Sequence, residues 1–246
     1  PNPGLQTQHL LGIQALAQLC RGKLEGDEIG SKEIIFEPGS DYQSRISIDI
    51  PTAASITLIL QALIPPALFA SEPTAISFKG GATDTFFSPT MSYFQHVFLK
   101  TLERLGLKTE INILKRGYYP EGEARLEAKI FPSKLKPLNF LVRGEFKKII
   151  IISGASISLK AQKVAERQVQ GVKEILGKFK LPVEEKTEYC ETQSPGSQAC
   201  LISEYENTLL GVDNLGKLGK RAEDIGKETA LKLLEEEKSG ACLDRH

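Results

Sequence analysis

The sequence predicts an α+β fold, on three observations. Helical patterns, with an apolar residue every three or four positions, interchange with short strands whose apolar residues alternate. A helix, a glycine stop and a strand recur at Gly22 and Gly106, and helix and glycine return at Gly240, which suggests a repeated β/α unit. Residues 146–153 (FKKIIIIS) read as a strong buried strand.

In chain order, Leu10, Leu11, Ile13, Leu16, Ala17 and Cys20 fit an amphipathic helix stopped by Gly22, and residues 33–37 (EIIFE) read as a strand. Residues 45–50 (RISIDI) alternate with period two, the mark of a half-buried strand. Residues 55–70 form a mostly apolar helix that Pro65 and Pro66 kink or end. A strand at 74–79 runs into Gly80 and Gly81, where the backbone can turn sharply. Tyr93, Val97, Phe98, Leu102 and Leu105 mark the next helix, and strands follow at 108–115 and 124–131. Residues 133–137 read as a connector. Beyond the 146–153 strand come a helix at 161–179, strands at 184–192 and 199–206 around a turn at 194–197, and a charged helix at 222–237. The expected organisation is a core at 1–153, a small α/β insert at 154–219, and a return to the core at 220–246.

Composition narrows the function classes. Hydrophobic residues at 41% and charged residues at 25% exclude a disordered chain. Lys plus Arg equals Asp plus Glu at 31 each, so net charge names no partner; a local basic patch remains compatible with nucleic acid. No apolar run reaches the roughly 18 residues of a membrane helix. The four cysteines, Cys20, Cys190, Cys200 and Cys242, form no CxxC pair, which argues against thiolate metal sites and suits a reducing compartment, the cytoplasm. The chain begins Pro1-Asn2-Pro3-Gly4 without Met and stops at Asp244-Arg245-His246 just after a helix, so it reads as an internal stretch of a longer protein.

No P-loop, GxGxxG, GxSxG or HExxH pattern occurs. Three histidines leave few candidates for a Ser-His-Asp or Cys-His arrangement, and His9 and His96 read as structural or surface residues. Two segments carry more. Residues 80–89 (GGATDTFFSP) leave a strand and enter a helix near Thr90: a plain turn, or a helix start that favours an anion such as phosphate. Lys115-Arg116-Gly117-Tyr118-Tyr119-Pro120 sets two cations beside two rings: a surface turn, or a place to hold phosphate and stack a base.

Read in order, the segments resemble the RNA 3′-terminal phosphate cyclase family. The matching stretches are PNPGLQTQHL at 1–10, KLEGDEIGSKEIIFEPG at 23–39, TAASITLILQALIPPALFA at 52–70 and GGATDTFFSP at 80–89. KRGYYPEG at 115–122, VAERQVQG at 164–171, SPGS at 194–197 and GACLDRH at 240–246 continue the series across the whole chain. The resemblance implies repeated βαβαββ units with a smaller inserted α/β domain. It implies an ATP-dependent enzyme of the ligase class that turns an RNA 3′-phosphate into a 2′,3′-cyclic phosphate. A histidine takes AMP from ATP and passes it to the 3′-phosphate; the neighbouring 2′-hydroxyl attacks that phosphate and AMP leaves, aided by a divalent ion (Mg or Mn). It places Gln61, Pro89 and His246 at the ATP and Gln8 near the RNA end.

The chain departs from the family in four places. The glycine-rich opening that precedes PNPGL is not in this sequence, and the nucleophilic histidine is expected beyond DRH, so that this chain alone is expected to be inactive. Ser92 stands where the family carries an aspartate, and Gly122-Glu123-Ala124 where it carries a run of glycines. Two alternatives carry different expectations. A non-catalytic relative that assists ribosomal RNA processing would lack the nucleophile. A general RNA-binding module would ignore a terminal phosphate.

Overall fold

Ile46, Ile48 and Ile50 are buried while Arg45, Ser47 and Asp49 are exposed, the alternation the sequence predicts. In the computed structural model, which describes residues 3–246, they lie on β3 (Arg45–Ser55). Pro1 and Asn2, the first residues of the PNPGL stretch, fall outside the described residues. β3 pairs in parallel with β4 (Thr74–Ala82), and β4 pairs antiparallel with β6 (Arg125–Phe131), whose other edge carries β5 (Lys108–Lys115). Between β3 and β4 runs α2 (Ile56–Ala67); between β4 and β5 a helix passes from α3 (Met91–Tyr93) through a π-helical turn (Phe94–Phe98) into α4 (Leu99–Arg104). This is one βαβαββ unit. α1 (Thr7–Cys20) packs on α2, and a ribbon of β1 (Lys23–Glu25) and β2 (Ile35–Glu37) follows α1.

Ile56, Leu60, Leu63, Phe78, Phe94 and Leu126 fill the space between the first sheet and its helices. Each large side chain buried there stabilises the fold by about 1.5–3 kcal/mol. Pro65 and Pro66 occupy the last turn of α2, where the helix is about to end. The stop of α1 departs from expectation. Arg21, not Gly22, takes the left-handed cap with φ 51°, and Gly22 is needed because a Cβ there would meet Glu37 O at 2.9 Å.

The second sheet runs β10-β9-β7-β8, from β7 (Phe146–Ser156), β8 (Val183–Cys190), β9 (Ser197–Tyr205) and β10 (Leu209–Leu215). Its helices are α5 (Val164–Leu176) and α6 (Ala222–Ser239), packed on each other. Ile149 and Ile151 face these helices, whereas Ile152 faces Tyr93 and Val97 of the first unit. Burial on both faces explains the uninterrupted run of isoleucines. The expected boundary after residue 153 falls inside β7. α6, expected to return to the core, packs against α5 and β10 of the second sheet.

Candidate functional site

β3 enters α2 without a loop, and that corner organises the first wall. Ser55 caps α2, its Oγ accepting from Leu58 N at 3.3 Å and lying 2.8 Å from Thr57 Oγ1. Thr57, fully buried, donates to Pro89 O at 2.9 Å. Gln61 lies one helical turn beyond Thr57. It is half-buried in an apolar helix and makes no side-chain hydrogen bond to the described residues, which leaves its amide available to a ligand. Gln61 and Pro89 therefore belong to one corner of the fold.

Beyond Pro89 the chain's own carboxylates occupy the helix start. Thr90 N donates to Asp213 Oδ2 at 2.6 Å and Met91 N to Asp84 Oδ1 at 3.1 Å. The anion that the strand-to-helix turn favours is thus supplied internally. Asp84 also meets Arg116, whose Nη1 lies 3.0 Å from Asp84 Oδ2; Arg116 Nη2 is 2.6 Å from Glu188 Oε1 and donates to Ser92 Oγ at 3.4 Å. Burial opposes the charge on Arg116, but Asp84 and Glu188 outweigh it and raise its pKa. Asp84 and Glu188 thus compensate the guanidinium beside Ser92, the position where the resemblance leads one to expect an aspartate. Arg116 and Tyr118, read from sequence as a cation and ring that could meet a ligand, are both buried, and the Tyr118 hydroxyl is bound to Gln198. Lys115 and Tyr119 are the members of that pair of dipeptides that reach solvent.

The segment carrying His246 is tied to the same place. Asp244 accepts from the Tyr93 hydroxyl at 2.6 Å through Oδ1 and from Gly211 N at 2.6 Å through Oδ2. The His246 ring lies 4.5 Å from the Tyr93 ring, centroid to centroid, and its Nε2 is 3.4 Å from Asp213 Oδ1. One carboxylate, Asp213, therefore links Thr90, next to Pro89, with His246. The Asp213 bond raises the His246 pKa above 6.5 against the opposing effect of burial. Asp213 is itself buried, which favours its neutral form, yet the bonds from His246 and Thr90 N hold its pKa below 3.8. Burial, then Asp244, drive the Tyr93 pKa up, so the phenol stays a neutral donor.

Gln61, Pro89 and His246 are thus brought together through Thr57 and Asp213. Gln8 is not joined to them: it lies half-buried on α1 and makes no side-chain hydrogen bond to the corner among the described residues. His9 is exposed on α1, and His96 sits in the π turn, its pKa lowered by burial and by Lys186, Lys100 and Arg116. Among the described residues no three His, Cys, Asp or Glu side chains are grouped to hold a metal ion. Sequence reading missed Asp84, Asp213 and Asp244. Asp84 lay inside the GGATDT stretch already singled out, but Asp213, in GVDNLG, looks like any turn aspartate.

An α+β protein whose βαβαββ unit packs through Tyr93 and Val97 against a second four-stranded sheet defines the class. The family model described as RNA 3′-terminal phosphate cyclase matches residues 1–246. The RNA 3′-terminal phosphate cyclase of Pyrococcus abyssi is 41% identical over 247 residues, covering 100% of this chain and 71% of that protein. The proteins of the same name from Ignicoccus hospitalis and Saccharolobus solfataricus are 40% and 39% identical, covering all of this chain and 70% and 72% of theirs. The chain belongs to the RNA 3′-terminal phosphate cyclase family.

Proposed function

We propose that the protein converts an RNA 3′-phosphate to a 2′,3′-cyclic phosphate at the expense of ATP, with Gln61, Pro89 and His246 as one wall of the nucleotide site. The observation that carries this is the convergence of those three residues, far apart in sequence, on a single corner held by Thr57 and Asp213. ATP would supply the adenylyl group that turns the terminal phosphate into a reactive anhydride. The residues present fit that ligand: the Gln61 amide has no side-chain partner among the described residues, and the His246 ring, backed by the buried Tyr93 ring, is partly exposed. Gln61 would bind a polar edge. His246, carrying a proton more readily than a free imidazole, would offer positive charge to the nucleotide. Gln8 is proposed near the RNA end.

Magnesium or manganese, expected alongside ATP, finds no grouped ligands among the described residues, and no step is assigned to it. None of the three histidines is proposed as the nucleophile: His246 is committed to Asp213, His96 is half-buried in the π turn, and His9 lies on the outside of α1. We therefore keep the expectation that this chain alone is inactive. The cytoplasm is the expected compartment; all four cysteines are free thiols, and no described helix is long and apolar enough to cross a membrane. The relatives named above, at 39–41% identity, bear the cyclase name, which disfavours a non-catalytic role in ribosomal RNA processing.

The test is to incubate the full-length protein with ATP and an RNA bearing a 3′-phosphate, and to follow resistance of that end to phosphatase. Resistance should appear only with ATP, and Gln61→Ala should raise the KM for ATP roughly tenfold, the equivalent of one lost hydrogen bond of about 1.4 kcal/mol. An end that stays phosphatase-sensitive at every ATP concentration would sink the reading.

A further inference from the structure

The exposed face of the first sheet carries a feature that the nucleotide corner does not use. Lys79 on β4 stands opposite Arg125 on β6, and Arg125 stands opposite Lys115 on β5, so three cations form a row across three neighbouring strands. Like charges directly opposite one another destabilise a sheet. The row also depends on an irregularity: pairing slips between Ile113 and Lys115, and without the slip Leu114 would face Arg125. Such bulges re-aim side chains. All three cations line one open groove of about 690 Å³. Asp49, Glu121 and Glu123 line it as well; among the described residues only Glu123 of the three forms an ion pair, with Lys115 at 3.3 Å. Lys79 and Arg125 have no ion-pair partner among the described residues.

Exposed rings stand at the same end of the sheet. β4 ends at Ala82, β5 ends at Lys115 and β6 begins at Arg125, so the loops after β4 and between β5 and β6 leave together. These loops hold Phe86, Phe87 and Tyr119, which are 40%, 98% and 60% exposed. Phe86 and Tyr119 meet edge to face at 6.1 Å. Phe87 adopts φ 62°, a region that bulky residues avoid, and does so with its ring in solvent. Strain held without burial in return is a mark of a functional position. Phe87 is also two residues from Pro89 in the nucleotide corner.

We propose that this row and these rings form a track for the unpaired stretch of RNA that leads to the reacting 3′ end. Lys79 and Arg125 contact backbone phosphates, Lys115 joins them by exchanging its partner, and Phe86, Phe87 and Tyr119 stack bases. Stacked bases must be splayed from any duplex, so the occupant is single-stranded. The proposal rests on the RNA-acting function above and adds where the chain of that RNA runs. Within KRGYYP, Lys115 and Tyr119 serve the RNA, while Arg116 and Tyr118 serve the fold.

The test is fluorescence anisotropy of the full-length protein with a 12-nucleotide single-stranded RNA bearing a 3′-phosphate, beside cyclisation of a 3′-phosphorylated dinucleotide. Two variants are compared, Lys79→Ala with Arg125→Ala, and Phe87→Ala with Tyr119→Ala. Each should weaken binding of the longer RNA about tenfold, with an effect on the dinucleotide at least fivefold smaller. The double cation variant should also flatten the salt dependence by roughly 1.4 in log–log slope, two phosphate contacts' worth. Its melting temperature should not fall, because a like-charge row is removed. Lys238→Ala, on the far end of α6, should leave RNA affinity as it is. The track is overturned if the 12-nucleotide RNA binds both variants within twofold of the parent, or if the dinucleotide loses as much. A parent protein that cyclises the dinucleotide while these variants bind normally rejects the track alone; one that neither binds nor cyclises any RNA rejects the function as well.

Discussion

Asp213 is pinned from two sides, by Thr90 N on Oδ2 and by His246 Nε2 on Oδ1, and its own backbone carbonyl accepts from Lys232 Nζ at 2.8 Å. The groups that set the His246 charge are Asp213 first, then Asp244, with Lys232 opposing. A histidine whose folded pKa is raised contributes stability that is present at low pH and lost as pH rises through that pKa; a carboxylate whose pKa is depressed contributes stability lost as pH falls through its own. The pair is therefore strongest between the lowered Asp213 pKa and the raised His246 pKa. NMR titration of the His246 ring should give a midpoint above 6.5, and Asp213→Asn should bring it to that value or below, since burial and Lys232 both then act downward. A midpoint indifferent to the substitution would show that Asp213 does not control the ring. None of this was legible in the sequence. His246 entered through resemblance, and Asp213 gains meaning only when β10 is placed beside the start of α3.

Arg116 does for elements what Asp213 does for residues. It leaves the end of β5, meets Asp84 at the turn into α3, and reaches Glu188 on β8, so one guanidinium joins both sheets. Removing one partner of a buried ion pair leaves the other charge uncompensated, at a cost of about 3–5 kcal/mol. Arg116→Met should lower urea-denaturation stability by that amount, and adding Asp84→Asn should recover part of it; equal stability of Arg116→Met and the parent would contradict a structural role. The elements themselves were largely legible. β5 has the expected bounds, 108–115, and β6 and α6 differ from theirs by one or two residues at their ends. β1 is only three residues long, and β10 (LLGVDNL) carries the Gly, Asp and Asn of a turn, so local pattern hid both. Hydrogen-bonded pairing with the neighbouring strand in the chain, β1 with β2 and β10 with β9, makes them strands.

At the scale of the molecule, the first βαβαββ unit supplies Gln61 on α2 and Pro89 before α3, and the chain beyond α6 supplies His246. The two units meet where Tyr93 of α3 and Val97 of the π turn pack onto Ile152 and Ile202. Family membership was legible from the order of motifs, each modest alone. The junction was not, because it depends on side chains such as Tyr118 and Gln198 that meet across a large separation in sequence. The most direct test of the corner is photo-crosslinking with 8-azido-ATP followed by peptide mapping. Label should fall on the peptides carrying Gln61, Pro89 and His246, and unlabelled ATP should compete it away. Label confined to α5 or to the outer face of α1, or untouched by competition, would contradict the proposed nucleotide site.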